Sequence, residues 1–545
     1  MMLWGALVCM GCGNTPTDVL KGRTITAGEH TQVQTLYGPI EGYLDGSIYT
    51  FKGIQYAKAE RFMPPQYPDK FTELKQCKLY GPQAPQSESL RWTGNTQTDY
   101  AFGNQFVLEP MDEKECLVLN VWTPGINDGK KRPVFLWIHG GGYATGSGHD
   151  LPCYEGYALA EKGDIVVVNI NHRLNILGFL DLTALGGAYA ESVNLGMQDI
   201  VKSLEWVRDN ISRFGGNPDE VTIGGQSGGG GKVGTLMCMP AAKGLFHKAI
   251  IMSGTILNVN TREMTQQLGK AVLDELGIAP ADIDHIKDVP YQELYDAGQR
   301  AMAKSIGVRR PGTPMMWGFG PTPDGETLLQ QPFQPGFAEI SSDIPLIIGT
   351  TFNELQRLTY KRPMTQEEAR AELQKTFGTD TDAYMKAFGK AYPNHTPQDL
   401  LSIDWLFRPK TLITADAIGG KRKAPTYTYM FTWRSPVTLG SVHGNELNFC
   451  FNTLSLAKRE LPEITAKDQR LSFLMARSWA QFAHTGNPNV KGLPQWHPYT
   501  AENGEIMFFD HTCYTRSNHD RRLQEIINRH CFKQLDEFRQ KQMEK

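Results

Sequence analysis

Val221-Thr222-Ile223-Gly224-Gly225-Gln226-Ser227-Gly228-Gly229-Gly230-Gly231 is the stretch on which the fold turns. Its first three residues are apolar or β-branched and predict a buried strand. They run directly into Gly225-Gln226-Ser227-Gly228-Gly229, a Gly-x-Ser-x-Gly turn, and then into residues that can start a helix. A serine hydroxyl is a poor nucleophile at neutral pH. A strained strand-to-helix turn holds it clear of the backbone, where a base can reach it, and the flanking residues must be small because a side chain there collides with the neighbouring strand and helix. By itself the pentapeptide also suits a glycine-rich turn with an incidental serine, so its surroundings decide.

Upstream, Leu204, Val207 and Ile211 are spaced to form one helix face, and Phe214-Gly215-Gly216-Asn217-Pro218 ends that pattern. Val134-Phe135-Leu136-Trp137-Ile138 and Ile165-Val166-Val167-Val168 are short apolar runs that predict strands buried on both faces. Downstream, Ala249-Ile250-Ile251-Met252 and Pro345-Leu346-Ile347-Ile348 predict further strands, and Tyr427, Tyr429 and Phe431 alternate with Thr428, Met430 and Thr432. Short apolar runs alternating with longer amphipathic stretches predict an α/β fold: a mostly parallel central sheet flanked by helices, with large loop and helical insertions. Residues 265–340 mix acidic, helical-looking segments with Pro-rich turns and are expected to form part of a lid. Leu523, Ile526, Ile527, Cys531, Leu535 and Phe538 recur at helical spacing and read as a packing helix rather than an oligomerisation helix.

A second motif, His139-Gly140-Gly141-Gly142-Tyr143, directly follows a predicted buried strand. Acyl transfer passes through a tetrahedral oxyanion, which needs backbone N–H donors aimed at it in a dry pocket. Glycine lets the chain expose such amides, so Gly141 and Gly142, with Gly228 after the serine, are the expected oxyanion donors. His139, at the strand end beside the glycines, is expected to hydrogen-bond structurally rather than to act as a base.

Further motifs carry a resemblance. Phe51-Lys52-Gly53-Ile54-Gln55-Tyr56-Ala57, Cys116-Leu117-Val118-Leu119-Asn120-Val121-Trp122-Thr123-Pro124, Trp206-Val207-Arg208-Asp209-Asn210-Ile211 and Phe482-Ala483-His484-Thr485-Gly486-Asn487-Pro488-Asn489 stand in the order found in type B carboxylesterases, a family that includes cholinesterases and bacterial para-nitrobenzyl esterases. The chain resembles that family from about residue 35 to 508. The resemblance implies an α/β-hydrolase fold and a serine ester hydrolase with no metal and no organic cofactor; neutral esters of small to medium size are the expected substrates. Gly349-Thr350-Thr351-Phe352-Asn353-Glu354 resembles the family's acid loop and Gly440-Ser441-Val442-His443-Gly444-Asn445-Glu446-Leu447 its histidine loop. This implies Ser227 as nucleophile, His443 as general base and Glu354 as the acid that orients it, in the order expected of this fold. Glu446 reads as support for its loop. Rival readings are a non-catalytic adhesion or binding member of the same fold, and a lipase or a carbamate or amide hydrolase; the filled triad positions argue against the first.

The departures from the family also matter. Gln226 and Gly228 stand where the family usually has Glu and Ala, so the negative charge that helps cholinesterases attract a quaternary ammonium is absent. Ala84 occupies the place of a common cysteine, which leaves Cys116 without its usual partner unless Cys77 substitutes. Lys114-Glu115 replaces an acidic pair, which puts in doubt a salt bridge to the Arg61 region. Trp92, Trp317 and Phe319 are candidate pocket walls on the variable loops.

Composition bounds these readings. At about 150 residues per domain, 545 residues suggest three or four domains, but a site assembled from residues 139 to 443 requires one catalytic domain over 23–545. Forty per cent hydrophobic and 21% charged residues suit a loop-rich globular protein, and a formal charge of -3 supplies no footprint for nucleic acid. Nine cysteines are too sparse for a disulfide scaffold, and no Cys-x-x-Cys pair lies near histidines to suggest zinc. Residues 1–22 are read as signal-like or disordered. Their apolar start is too short to span a bilayer, and Gly11-Cys12 resembles the end of a bacterial lipoprotein signal with Cys12 as the lipidated residue, although no Lys or Arg precedes it. Export, with a lipid anchor at Cys12, is the expectation; a cytoplasmic protein with a disordered N-terminus is the alternative. No other segment reads as transmembrane.

Overall fold

The computed structural model describes residues 23–87, 110–306, 318–333, 336–355, 364–457 and 463–530. One sheet draws its strands from nearly the whole of this span. In chain order they are β1 (Ile25–Thr26), β2 (Tyr43–Asp45), β3 (Ile48–Gln55), β4 (Val118–Thr123), β5 (Arg132–Ile138), β6 (Val166–Ile170), β7 (Gly216–Gln226), β8 (Lys248–Met252), β9 (Leu346–Thr351), β10 (Thr426–Phe431), β11 (Glu505–Phe509) and β12 (Tyr514–Ser517). Their spatial order is β1-β2-β3-β4-β6-β5-β7-β8-β9-β10-β11-β12. The block from β6 to β11 is parallel throughout, and the pairs outside it are antiparallel. This is the mostly parallel sheet of an α/β-hydrolase.

Successive residues of the central strands enter two different cores, as the two-residue period of a strand requires. Val134, Leu136, Val166, Val168, Ile223, Ile251 and Ile348 face one cluster, which the helices α1 (Leu195–Asn210), α2 (Gly228–Leu236) and α5 (Arg408–Ile418) complete through Leu204, Leu236 and Ile418. Phe135, Trp137, Val167, Ile250 and Ile347 face the other, closed by Met475, Trp479 and Phe482 of α6 (Ala466–Thr485). Helices thus cover both faces.

Within residues 265–340, α3 (Arg262–Leu276) and α4 (Tyr291–Ile306) share an apolar cluster with Ile176, Leu177 and Leu195. Residues 521–530 are helical, and Leu523, Ile526 and Ile527 pack beside Met430 and Phe508. Cys531, Leu535 and Phe538 lie outside the described residues, as do Trp92, Trp317 and the segment with Cys12. Among the described residues no helix is long and apolar enough to cross a membrane.

The doubt over Arg61 resolves one residue earlier than the Lys114-Glu115 pair. Its guanidinium is 2.8 Å from the Glu113 carboxylate. Cys77 and Cys116 are both free, buried thiols. Burial pushes Cys77 up to about 12, so it stays protonated and inert.

Candidate active site

The serine lies where the sequence puts a strained turn. β7 ends at Gln226, α2 begins at Gly228, and Ser227 between them has φ 58° and ψ -126°, a conformation a non-glycine residue adopts only when its surroundings force it. Its N–H donates to the Met252 carbonyl at 2.9 Å, which ties the turn to β8. The approach of helix to strand is close: a Cβ on Gly229 falls 2.0 Å from the Ile138 carbonyl oxygen, which explains why glycine stands there.

The glycine loop after β5 reaches the same place. Gly141 and Gly142 have φ values of 81° and 66°, and a Cβ on Gly228 falls 2.3 Å from the Gly142 carbonyl oxygen. Among the described residues, no protein acceptor takes the N–H of Gly141, Gly142 or Gly228. His139 is structural in its contacts. Its Nδ1 bonds to the Gly140 carbonyl at 2.9 Å and its ring stacks on His172, with centroids 4.9 Å apart. Burial, and next the charge of Lys232, hold its imidazole well below the usual histidine range.

The loops that carry Glu354 and His443 are laced together. Asn353 N–H donates to the Ser441 carbonyl at 2.9 Å, Ser441 N–H donates to Asn353 Oδ1 at 2.7 Å, and His443 N–H donates to the Glu354 carbonyl at 3.0 Å. These bonds set the side chains: His443 Nδ1 hydrogen-bonds Glu354 Oε2, and Thr351 N–H donates to Glu354 Oε1 at 2.7 Å. Both side chains are buried. With Nδ1–H given to the carboxylate, Nε2 of the neutral ring is an acceptor.

That acceptor is occupied. Gln226 Nε2 lies 3.1 Å from His443 Nε2, and no hydrogen bond joins Ser227 Oγ to the ring. Phe407 stacks on the imidazole face, with centroids 4.9 Å apart and planes 18° from parallel. Asp404 fixes that phenyl by accepting from the N–H groups of Leu406, Phe407 and Arg408. Burial, and then Glu354, push Asp404 up to about 7. Glu446, buried 3.3 Å from Ser253 Oγ, is pushed up to about 8 by burial and then by Glu354, which fits support of the loop and not a second ionised acid.

The structure therefore brings Glu354, His443 and Gln226 into one hydrogen-bonded chain, and sets Ser227 beside the glycine loop. Of the residues singled out in the sequence, Glu354 and His443 come into contact, and Ser227 lies beside the glycine loop without a bond to the ring. Sequence reading did not foresee the contacts of Gln226 and Phe407 with that ring, which join residues far apart in the chain. Phe319 packs partly buried between two core clusters and against Gly298.

The carboxylesterase family matches residues 29–525. The para-nitrobenzyl esterase of Bacillus subtilis (strain 168) is 33% identical, across 88% of this chain and 95% of that protein. The phenmedipham hydrolase of Pseudarthrobacter oxydans is 32% identical, across 87% and 94%. An esterase from Clostridium hathewayi, described as able to hydrolyse aliphatic aromatic polyesters, has a structure that superposes with a TM-score of 0.84 at 34% identity, covering 93% of this chain and all of its own.

Proposed function

The chain belongs to the carboxylesterase family and is a carboxylic ester hydrolase, and from that premise we propose that it cleaves neutral esters of small to medium size through an acyl-enzyme on Ser227. His443 takes the Ser227 proton as the hydroxyl oxygen attacks the ester carbonyl, and the amides of Gly141, Gly142 and Gly228 hold the oxyanion. The imidazolium returns the proton to the alcohol as the carbon–oxygen bond breaks. Water, deprotonated by the same nitrogen, then releases the acid and regenerates Ser227. Glu354 holds the tautomer and stabilises the imidazolium. In the resting geometry Gln226 occupies Nε2, so this contact must exchange for Ser227 Oγ, a tightening common when substrate binds.

The observation that carries the reading is the buried Glu354–His443 bond beside a strained serine and glycine amides that no acceptor among the described residues takes. The preference for uncharged substrates rests on Gln226, which is neutral and points at the base. A panel of p-nitrophenyl esters of increasing acyl length, with an aliphatic aromatic polyester and phenmedipham added, tests the substrate class by kcat/KM. The expected ranking favours short and medium acyl chains. A choline ester preferred over its uncharged 3,3-dimethylbutyl counterpart by more than about tenfold, or ~1.4 kcal/mol, contradicts the neutral preference.

For location, Gly11-Cys12 supports an exported, lipid-anchored protein. Fatty-acid labelling that disappears in Cys12→Ala supports this; unlabelled protein in the cytoplasmic fraction opposes it.

A further inference from the structure

One buried cation that the mechanism above does not use lies close to the glycine loop. Lys232 lies in the second turn of α2, fully shielded from solvent, about 7.5 Å of helical rise beyond Ser227. Its Nζ donates to the His139 carbonyl at 3.1 Å, the residue that opens the glycine loop. No carboxylate among the described residues lies within ion-pair distance of it. Its neighbours are the Tyr143 ring, 5.8 Å away at the centroid, the stacked His139 and His172 imidazoles, and Asp150, the carboxyl whose field it feels.

This pocket is short of partners. His139 Nε2, His172 Nε2 and Asp150 Oδ1 are buried with no hydrogen-bond partner among the described residues, although backbone N–H groups serve the Asp150 carboxyl. Burial, and then the Lys232 charge, hold both histidines well below their usual range. Burial pushes Asp150 up to about 7 and brings Lys232 down to about 7. A cation buried beside two imidazoles and a carboxyl that burial pushes toward its neutral form is costly to the fold, and an apolar side chain of similar length removes that cost.

We propose that Lys232 is a positioning residue for ester hydrolysis, its ammonium fixing the glycine loop through the His139 carbonyl and setting a positive potential beneath the oxyanion. The proposal rests on the Ser227 reading. The field acts little on a neutral ester and strongly on the tetrahedral intermediate, so it raises kcat more than it lowers KM. The cost to the fold has a definite pH dependence. Because the folded pKa is depressed, the penalty is complete below about 7 and fades as pH rises toward the ordinary lysine value of about 10.4.

The test is Lys232→Met, assayed with p-nitrophenyl acetate at pH 6.5. The expected result is a kcat lowered about tenfold or more with KM within about twofold, together with a melting temperature that rises, most at acid pH. A purely structural lysine predicts the reverse: an unchanged kcat, or a loss of kcat with a lowered melting temperature, and either overturns the proposal. A second measurement leaves Lys232 in place. The unmodified enzyme's kcat is expected to decline above neutral pH as Lys232 loses its proton, a decline that Asp150→Asn retains; a flat profile from pH 6 to 9, or a decline abolished by Asp150→Asn, overturns the proposal. A fluorophosphonate adduct mapped in both the unmodified and Lys232→Met proteins separates the two ideas. Absence of label at Ser227 in the unmodified protein rejects the nucleophile, whereas labelled Ser227 with unchanged kcat in the variant rejects only Lys232.

Discussion

The His443 imidazole is held on three sides, and each contact sets a different property of the ring. Glu354 fixes the tautomer, Phe407 the plane of the ring, and Gln226 the state of Nε2. A carboxamide serves both forms of the ring, donating N–H to the neutral base and, turned over, accepting from the imidazolium; a carboxylate serves only the charged form. Gln226→Glu is therefore expected to favour the imidazolium and move the acid limb of kcat/KM upward by about one pH unit. A pH–rate profile reads this, and an unmoved limb contradicts the contact. The sequence marks Gln226 as an uncharged neighbour of the nucleophile, but not its reach, because that depends on a histidine 217 positions away. Lys232 carried a local sign that went unread: a lone charge in an otherwise small and apolar helix start, Gly228-Gly229-Gly230-Gly231-Lys232-Val233.

At the scale of elements, the glycine loop and the nucleophile turn pack backbone against backbone. A methyl group on Gly228 meets three backbone atoms of Gly142 at 2.3–2.5 Å, so Gly228→Ala must push the loop away. The expected result is a loss of about 1–3 kcal/mol of stability, as overpacking commonly costs, with kcat reduced more than KM is raised. Thermal melts and steady-state kinetics check both, and a variant indistinguishable from the parent shows that the loop yields freely. The central strands were legible because burial on both faces writes a continuous apolar run. β1 and β2 were not, since they are short and carry no buried residue, and β3 is marked only by the resemblance at Phe51–Ala57. Gly216-Asn217-Pro218 reads as a helix stop, yet it also opens β7, whose register shifts between Gly216 and Val221. A turn signal and an irregular strand start have the same composition.

For the whole molecule, strands from Ile25 to Ser517 join one sheet, so segments far apart in the chain share a core. Remote segments are fastened by buried ion pairs the sequence does not advertise. Arg408, at the start of α5, lies 2.6 Å from Asp520, and neither is more than 1% exposed. Burial opposes ionisation of Asp520, but Arg408 outweighs it and holds the carboxyl below its usual range. The pair's contribution is thus present above the ordinary carboxylate pKa and lost as pH falls through the lower, folded value. Asp520→Asn is expected to cost about 3–5 kcal/mol near neutral pH and less in strong acid. Urea unfolding at the two pH values measures it; an equal cost at both denies the charge its role.

The central claim is that Ser227 is the nucleophile, and covalent labelling tests it most directly. After treatment with a fluorophosphonate, tryptic peptides analysed by mass spectrometry are expected to carry one adduct, on Ser227, and Ser227→Ala is expected to stay folded while losing both the label and about 10⁴ to 10⁶ of kcat. An adduct on any other residue, or a Ser227→Ala variant that still turns over p-nitrophenyl acetate near the parental rate, contradicts the account.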